Sequence, residues 1–80
     1  MSVKAYIMMN VKTGTEEDVC QSLLHFEEVE EVATIYGEYD ALVKIQTEDM
    51  SQLDSFIMNK LRAIPNIFLT ATILIAKEFK

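Results

Sequence analysis

Glycine and proline are nearly absent from this sequence, two of the first and one of the second in 80 residues. Disordered and low-complexity chains need far more of both, so the chain reads as regular elements joined by short turns. A single cysteine, Cys20, excludes an internal disulfide, and one histidine leaves no Cys/His cluster for structural zinc. Basic residues are also few, seven against thirteen acids, for a formal net charge of −6. Those seven (Lys4, Lys12, Lys44, Lys60, Arg62, Lys77 and Lys80) are scattered and form no stripe. An acidic chain gains little from displacing counterions along a phosphate backbone, so direct nucleic-acid binding is not expected. No apolar run is long enough to span a bilayer, and the N-terminus lacks the charged-then-apolar order of a secretory signal. An unpaired cysteine fits a reducing compartment, so a cytoplasmic location without a membrane partner is expected.

What the chain does have is apolar surface: half of its residues are hydrophobic. A domain of this size buries only about 60–65% of its unfolded surface, which leaves a solitary core marginal. Small scaffolds compensate with disulfides, metals or self-association. The first two are excluded, so a homo-oligomer is expected.

Periodicity divides the chain into six elements. Val3 to Val11 alternates as a strand, with Val3, Ala5, Ile7, Met9 and Val11 on one apolar face and Lys4, Tyr6, Met8 and Asn10 opposite. Thr15 followed by Glu16, Glu17 and Asp18 is a helix start: the threonine as cap, the acids favouring the positive end of the dipole. Val19, Cys20, Leu23, Leu24 and Phe26 make the apolar side of that helix, which should end near Glu27 and Glu28. Val29 to Tyr36 and Tyr39 to Gln46 read as two strands of a hairpin joined through Gly37. Asp49, with Gln52 three residues on, caps a second helix whose stripe is Met50, Leu53, Phe56, Ile57, Leu61 and Ile64. Ile64-Pro65-Asn66 stops it. Ile67 to Ala76 is the last strand, and strict alternation sets Phe68, Thr70, Thr72 and Leu74 apart from Ile67, Leu69, Ala71, Ile73 and Ile75.

The order is βαββαβ. Right-handed crossovers put both helices on one side of the sheet. The predicted fold is therefore α+β and ferredoxin-like: a four-stranded antiparallel sheet in the order 4-1-3-2, with two helices on one face, over a single domain 1–80. The open face is expected to carry Tyr6, Met8, Leu42, Phe68 and Leu74 among Lys44, Thr70 and Thr72. That mixture is too apolar for water and marks an interface, most economically between the sheets of two protomers.

Chemistry-bearing groups are sparse. Cys20 and His25 sit five apart on one helix, roughly 140° around it, and do not meet, so no nucleophile has its base. No metal or cofactor is expected, and the acids Glu27, Glu28, Glu30 and Glu31 lack calcium-loop spacing. The segment Tyr36-Gly37-Glu38-Tyr39-Asp40 stands apart. It reads as a hairpin turn in which Gly37 takes positive φ and Asp40 bonds nearby backbone. It also reads as a ligand site, with backbone N–H groups open at glycine, an acid for an ammonium group and two tyrosine walls. A hairpin acid adds little to a core, so losing the Asp40 side chain should spare the fold.

Gly37-Glu38-Tyr39-Asp40, the apolar strand Ala41 to Ile45, Ile64-Pro65-Asn66-Ile67 and Thr70-Ala71-Thr72 together resemble the C-terminal effector module of the leucine-responsive/asparagine-regulator (Lrp/AsnC) family, also called the RAM domain. The resemblance covers nearly the whole chain. It implies sheet-to-sheet dimers that assemble into a higher even-numbered ring, and an amino acid or related effector at the contact between dimers. By position, Gly37, Tyr39 and Asp40 would line that site with Thr70 and Thr72 opposite. Family regulators carry an N-terminal helix-turn-helix domain, whereas here a strand begins almost at once. The chain is therefore expected to be a stand-alone module of transcription regulation, not an enzyme, acting by sensing an amino acid or by co-assembling with a full-length regulator. Two rivals share the fold: a small dimeric α+β-barrel oxygenase, which needs a cavity between sheet and helices, and a ligand-free assembly protein.

Overall fold

The computed structural model describes residues 2–80. Strand β1 (Val3–Val11) runs through the middle of a four-stranded antiparallel sheet, flanked by β3 (Ala41–Thr47) and β4 (Ile67–Leu74), with β2 (Val29–Thr34) beyond β3. The order β2-β3-β1-β4 is the predicted one. Helix α1 (Glu16–Leu23) links β1 to β2; α2 (Met50–Ser55) and a π-helical segment (Phe56–Leu61) lie between β3 and β4. The core forms where the apolar face of β1 meets the helices: Ala5, Ile7, Met9, Ala41, Val43 and Ile45 are all fully buried. Val19 and Leu23 of α1, Leu53 of α2 and Phe56 and Leu61 of the π segment close over them. These buried side chains pack between the sheet and the helices.

The helix boundaries depart from periodicity in instructive ways. The Thr15 hydroxyl donates to the Lys12 carbonyl (2.6 Å), so it does not cap α1. The helix ends at Leu23, short of the expected Glu27–Glu28, and Leu24 is exposed while Phe26 packs on the core from the following turn. Asp49 does cap α2: its Oδ1 accepts from the Gln52 N–H (2.8 Å), and Gln52 Oε1 accepts from the Glu48 N–H (3.2 Å). From Phe56 onward the ladder widens, the Arg62 N–H donating to the carbonyl of Ile57 (3.1 Å). In an α-helix, residues five apart point about 140° apart. The wider turn brings Phe56 and Leu61 to the same buried side. Pro65 follows, and Asn66 adopts positive φ (74°), a conformation its short polar side chain tolerates.

The faces of β4 correct the expectation. Thr70, Thr72 and Leu74 pair with Met9, Ile7 and Ala5, so they share the helix-side face of the sheet. Leu69, Ala71 and Ile73 pair with Asn10, Met8 and Tyr6 and occupy the open face. The cause is a bulge. The register passes from Val11 opposite Ile67 to Asn10 opposite Leu69, leaving Phe68 as the extra residue. One unpaired residue exchanges the faces of everything beyond it.

The open face is consequently more apolar than alternation implies: Tyr6, Met8 and Leu42 stand beside Leu69, Ala71 and Ile73. Its main cation is neutralised in place. Lys44 Nζ lies 3.3 Å from Glu78, which also accepts from Lys4 at 2.9 Å, and 5.5 Å from the centroid of the Tyr6 ring.

A second ion pair ties the α1–β2 turn to the π segment. Lys60 Nζ donates to Glu28 at 2.7 Å, and that hydrogen bond holds the Glu28 carboxyl below its ordinary range. Because the folded value is the lower one, this contribution is complete above the ordinary glutamate pKa and disappears as pH falls through the depressed one. Both side chains are partly exposed, so the effect is small. Lys60→Met should flatten the acid limb of a urea-midpoint profile between those two values; an unchanged limb would exclude this pair as a source of acid sensitivity.

Candidate ligand-binding site

Antiparallel pairing sets the start of β3 against the end of β1, and this places the hairpin turn beside the β1–α1 junction. Gly37 takes φ +132°, as the sequence predicts, in open space where a Cβ would touch nothing. Asp40 is the anchor. Its N–H donates to the Met9 carbonyl (2.8 Å), its carbonyl accepts from the Ile35 N–H (2.9 Å), and its carboxylate accepts from the Val11 N–H (2.9 Å). The last bond is part-buried and crosses to the neighbouring strand. Asp40 therefore belongs to the framework of the sheet end, which overturns the expectation that its side chain is dispensable for folding. The turn it anchors leaves the N–H groups of Gly37, Glu38 and Tyr39 with no hydrogen-bond partner among the described residues. Tyr36 is fully exposed and Tyr39 half-buried.

One residue that the sequence reading took only as a helix start joins this site. Glu16, in the first turn of α1, lines the same concavity as Asp40, together with Thr34, Ile35 and Tyr36. Its Oε1 is buried without a partner. The signal was available only through topology, since the β1–α1 junction and the hairpin share an end of the sheet only once the strand order is known.

Thr70 and Thr72 lie elsewhere in the protomer. Ala41 and Thr70 flank Met9 from opposite sides. Two interstrand spacings, about 10 Å, therefore separate them. That is far more than separates the two ends of one amino acid. The structure brings Gly37, Tyr39 and Asp40 together and keeps Thr70 and Thr72 apart from them, so a shared site requires the turn of one protomer and the threonines of another. Both threonines are exposed. Thr70 instead lines a groove with Arg62, which the sequence reading counted among scattered bases.

Cys20 is half-buried, and burial, then the nearby Glu16 charge, pushes its thiol pKa up, away from the reactive thiolate. No helix among the described residues is long and apolar enough to cross a membrane.

The fold is that of a small ferredoxin-like domain whose hairpin turn is anchored through Asp40. Comparison with known proteins agrees. The Lrp/AsnC ligand binding domain matches residues 4–80, and the chain belongs to the Lrp/AsnC family. It is 35% identical over 79 residues to the HTH-type transcriptional regulator FL11 of Pyrococcus abyssi, covering 99% of this chain and 52% of that protein. The chain thus spans about half the length of the curated relatives it matches. Among solved structures, FFRP-DM1 is 41% identical with a TM-score of 0.87, covering 91% of this chain and 97% of that one. The transcriptional regulator NMB0573 of Neisseria meningitidis, solved as a complex with L-Met, shares the fold at a TM-score of 0.88 and 22% identity, over 98% of this chain and 52% of its own.

Proposed function

We propose that this chain is a cytoplasmic, oligomeric effector module of transcriptional control. It binds a free amino acid between the Gly37–Asp40 turn of one protomer and Thr70 and Thr72 of a neighbouring dimer. It makes no DNA contact of its own and acts on transcription by co-assembling with a full-length regulator. The observation that carries this reading is the anchored turn: three unpartnered N–H groups beside a fixed carboxylate. The N–H groups suit the carboxylate of a zwitterion, and Asp40 and Glu16 suit its ammonium group. The family's ligand-binding character and the L-Met complex of NMB0573 support an amino acid as ligand. The open apolar face supports a dimer through the sheets, and both edge strands offer further contacts toward a ring. The net charge of −6 supports the absence of DNA contact.

The test is a thermal-melt screen of the twenty amino acids at millimolar levels. A ligand at about one hundred times its dissociation constant adds about 2.7 kcal/mol. For a domain this small that is a shift of several degrees or more. Thr70→Val with Thr72→Val keeps strand propensity and removes both hydroxyl donors, so it should weaken the response. If no amino acid shifts the wild type, the ligand-free assembly reading replaces this one. Light scattering after size exclusion should give an even multiple of the 9.2 kDa protomer. A monomer at micromolar concentration would remove the intermolecular site altogether.

A further inference from the structure

Between the π segment and β4 runs a groove of about 160 Å³, walled by Ile57, Leu61, Ile64, Ile67 and Phe68. Its size is close to the roughly 150 Å³ of an apolar cavity that holds benzene. Arg62 and Thr70 are the two polar residues of its lining. The widened turn explains the pairing of base and wall: Ile57 and Arg62 stand at the two ends of one i→i+5 hydrogen bond and face the same groove. Phe68, the bulge residue, is 72% exposed along its length.

Charge singles this groove out. Four other surface concavities each have at least one carboxylate in their lining. This one has a guanidinium and none. On a chain of net charge −6 it is a place where an anion meets attraction. A guanidinium fork binds a carboxylate through two parallel N–H donors, and Thr70 adds a hydroxyl donor. No acceptor of opposite charge is present for an ammonium group, whose desolvation beside Arg62 would go uncompensated.

We infer that the groove between the π segment and β4 is a binding site for a short branched aliphatic monocarboxylate without an α-ammonium group, the class of 2-oxo and simple branched-chain acids. Arg62 grips the carboxylate with help from Thr70, and the hydrocarbon tail lies on Ile57, Ile64 and Phe68. The site shares Thr70 with the proposed amino-acid site, but Arg62 and the groove carry it, so it stands if that reading falls.

The groove carries its own reporters. Isoleucine δ1-methyl NMR of the full chain follows Ile57, Ile64 and Ile67, while Ile35 reports separately on the hairpin turn. Titration with 4-methylpentanoate and with 4-methyl-2-oxopentanoate at millimolar levels should give saturable shifts at Ile57, Ile64 and Ile67. The cation 3-methylbutylamine, with the same tail, should give none. Arg62→Gln should weaken the carboxylates by about tenfold or more, and Arg62→Lys, which keeps the charge without the fork, by less. Absent shifts, equal shifts with the amine, or an unchanged affinity in Arg62→Gln would overturn the inference. A change in particle mass in Arg62→Gln without ligand would assign the groove to contact between copies and overturn it as well. Amino acids that move Ile35 bear on the hairpin site alone.

Discussion

Phe56→Ala is expected to cost about 3–5 kcal/mol, a large share of what holds the domain together. An 80-residue domain has about 4–12 kcal/mol of stability in all. Phe56 is 1% exposed and lies at the junction of α2 with the π segment. Its ring meets Phe26 edge-on, with centroids 5.6 Å apart and planes at 88°. Removing it opens a cavity between the helix layer and the sheet at the point where the widened turn holds Leu61 in place, so collapse is restricted. Met50→Ala, on the same apolar stripe of the sequence, should stay within about 0.5 kcal/mol because Met50 is 45% exposed. Urea midpoints of the two variants decide the matter. A loss below about 1 kcal/mol at Phe56 would mean that the π junction repacks freely.

The contrast between Met50 and Phe56 shows where the fold was legible and where it was not. Strand β1 was readable from its bounds to its inward face because a central strand with one buried face must alternate, and Ala5, Ile7, Met9 and Val11 do. The Asp49 cap was readable because it is local chemistry over three residues. A π turn has no such signature. It follows from fitting Leu53, Phe56 and Leu61 to one sheet, a tertiary demand that periodicity cannot express. The β4 faces failed for a similar reason. Nothing in Ile67-Phe68-Leu69 marks Phe68 as the extra residue, and Val11 opposite Ile67 becomes visible only with both strands in place. An edge strand with both faces exposed imposes no alternation on its sequence, so the usual internal check on register is missing.

The candidate site divides along the same line. Gly37, Tyr39 and Asp40 were readable as a unit because they fall within four residues of sequence and glycine marks the turn. Glu16 and Arg62 were not, since each joins its concavity through topology rather than spacing. Asp40 lies at the hairpin turn, and its contribution to the fold was misjudged. The hydrogen bond that gives it a structural role spans 29 residues of sequence.

That double role makes Asp40 the residue at which stability and response separate. In Asp40→Ala the part-buried Val11 N–H loses its acceptor. An unsatisfied donor of this kind costs about 1–3 kcal/mol, and more where the lost partner was charged. In a domain of this size the melting temperature should fall by on the order of 10 °C. Asp40→Asn keeps a carbonyl oxygen in the same place for Val11 and removes only the charge, so its melting temperature without ligand should lie much closer to wild type. The response to an amino acid should part from this order. Neither variant offers a carboxylate at this position to the ammonium group, so both should lose most of the ligand-induced shift, although only one is destabilised. Melting curves for the three proteins, with and without the amino acid that most stabilises wild type, read both quantities at once. If Asp40→Ala melts as wild type, the Val11 bond carries no weight in solution. If Asp40→Asn is stabilised by the amino acid as strongly as wild type, the ammonium group lies elsewhere, and Glu16 on the same concavity becomes the acid to replace.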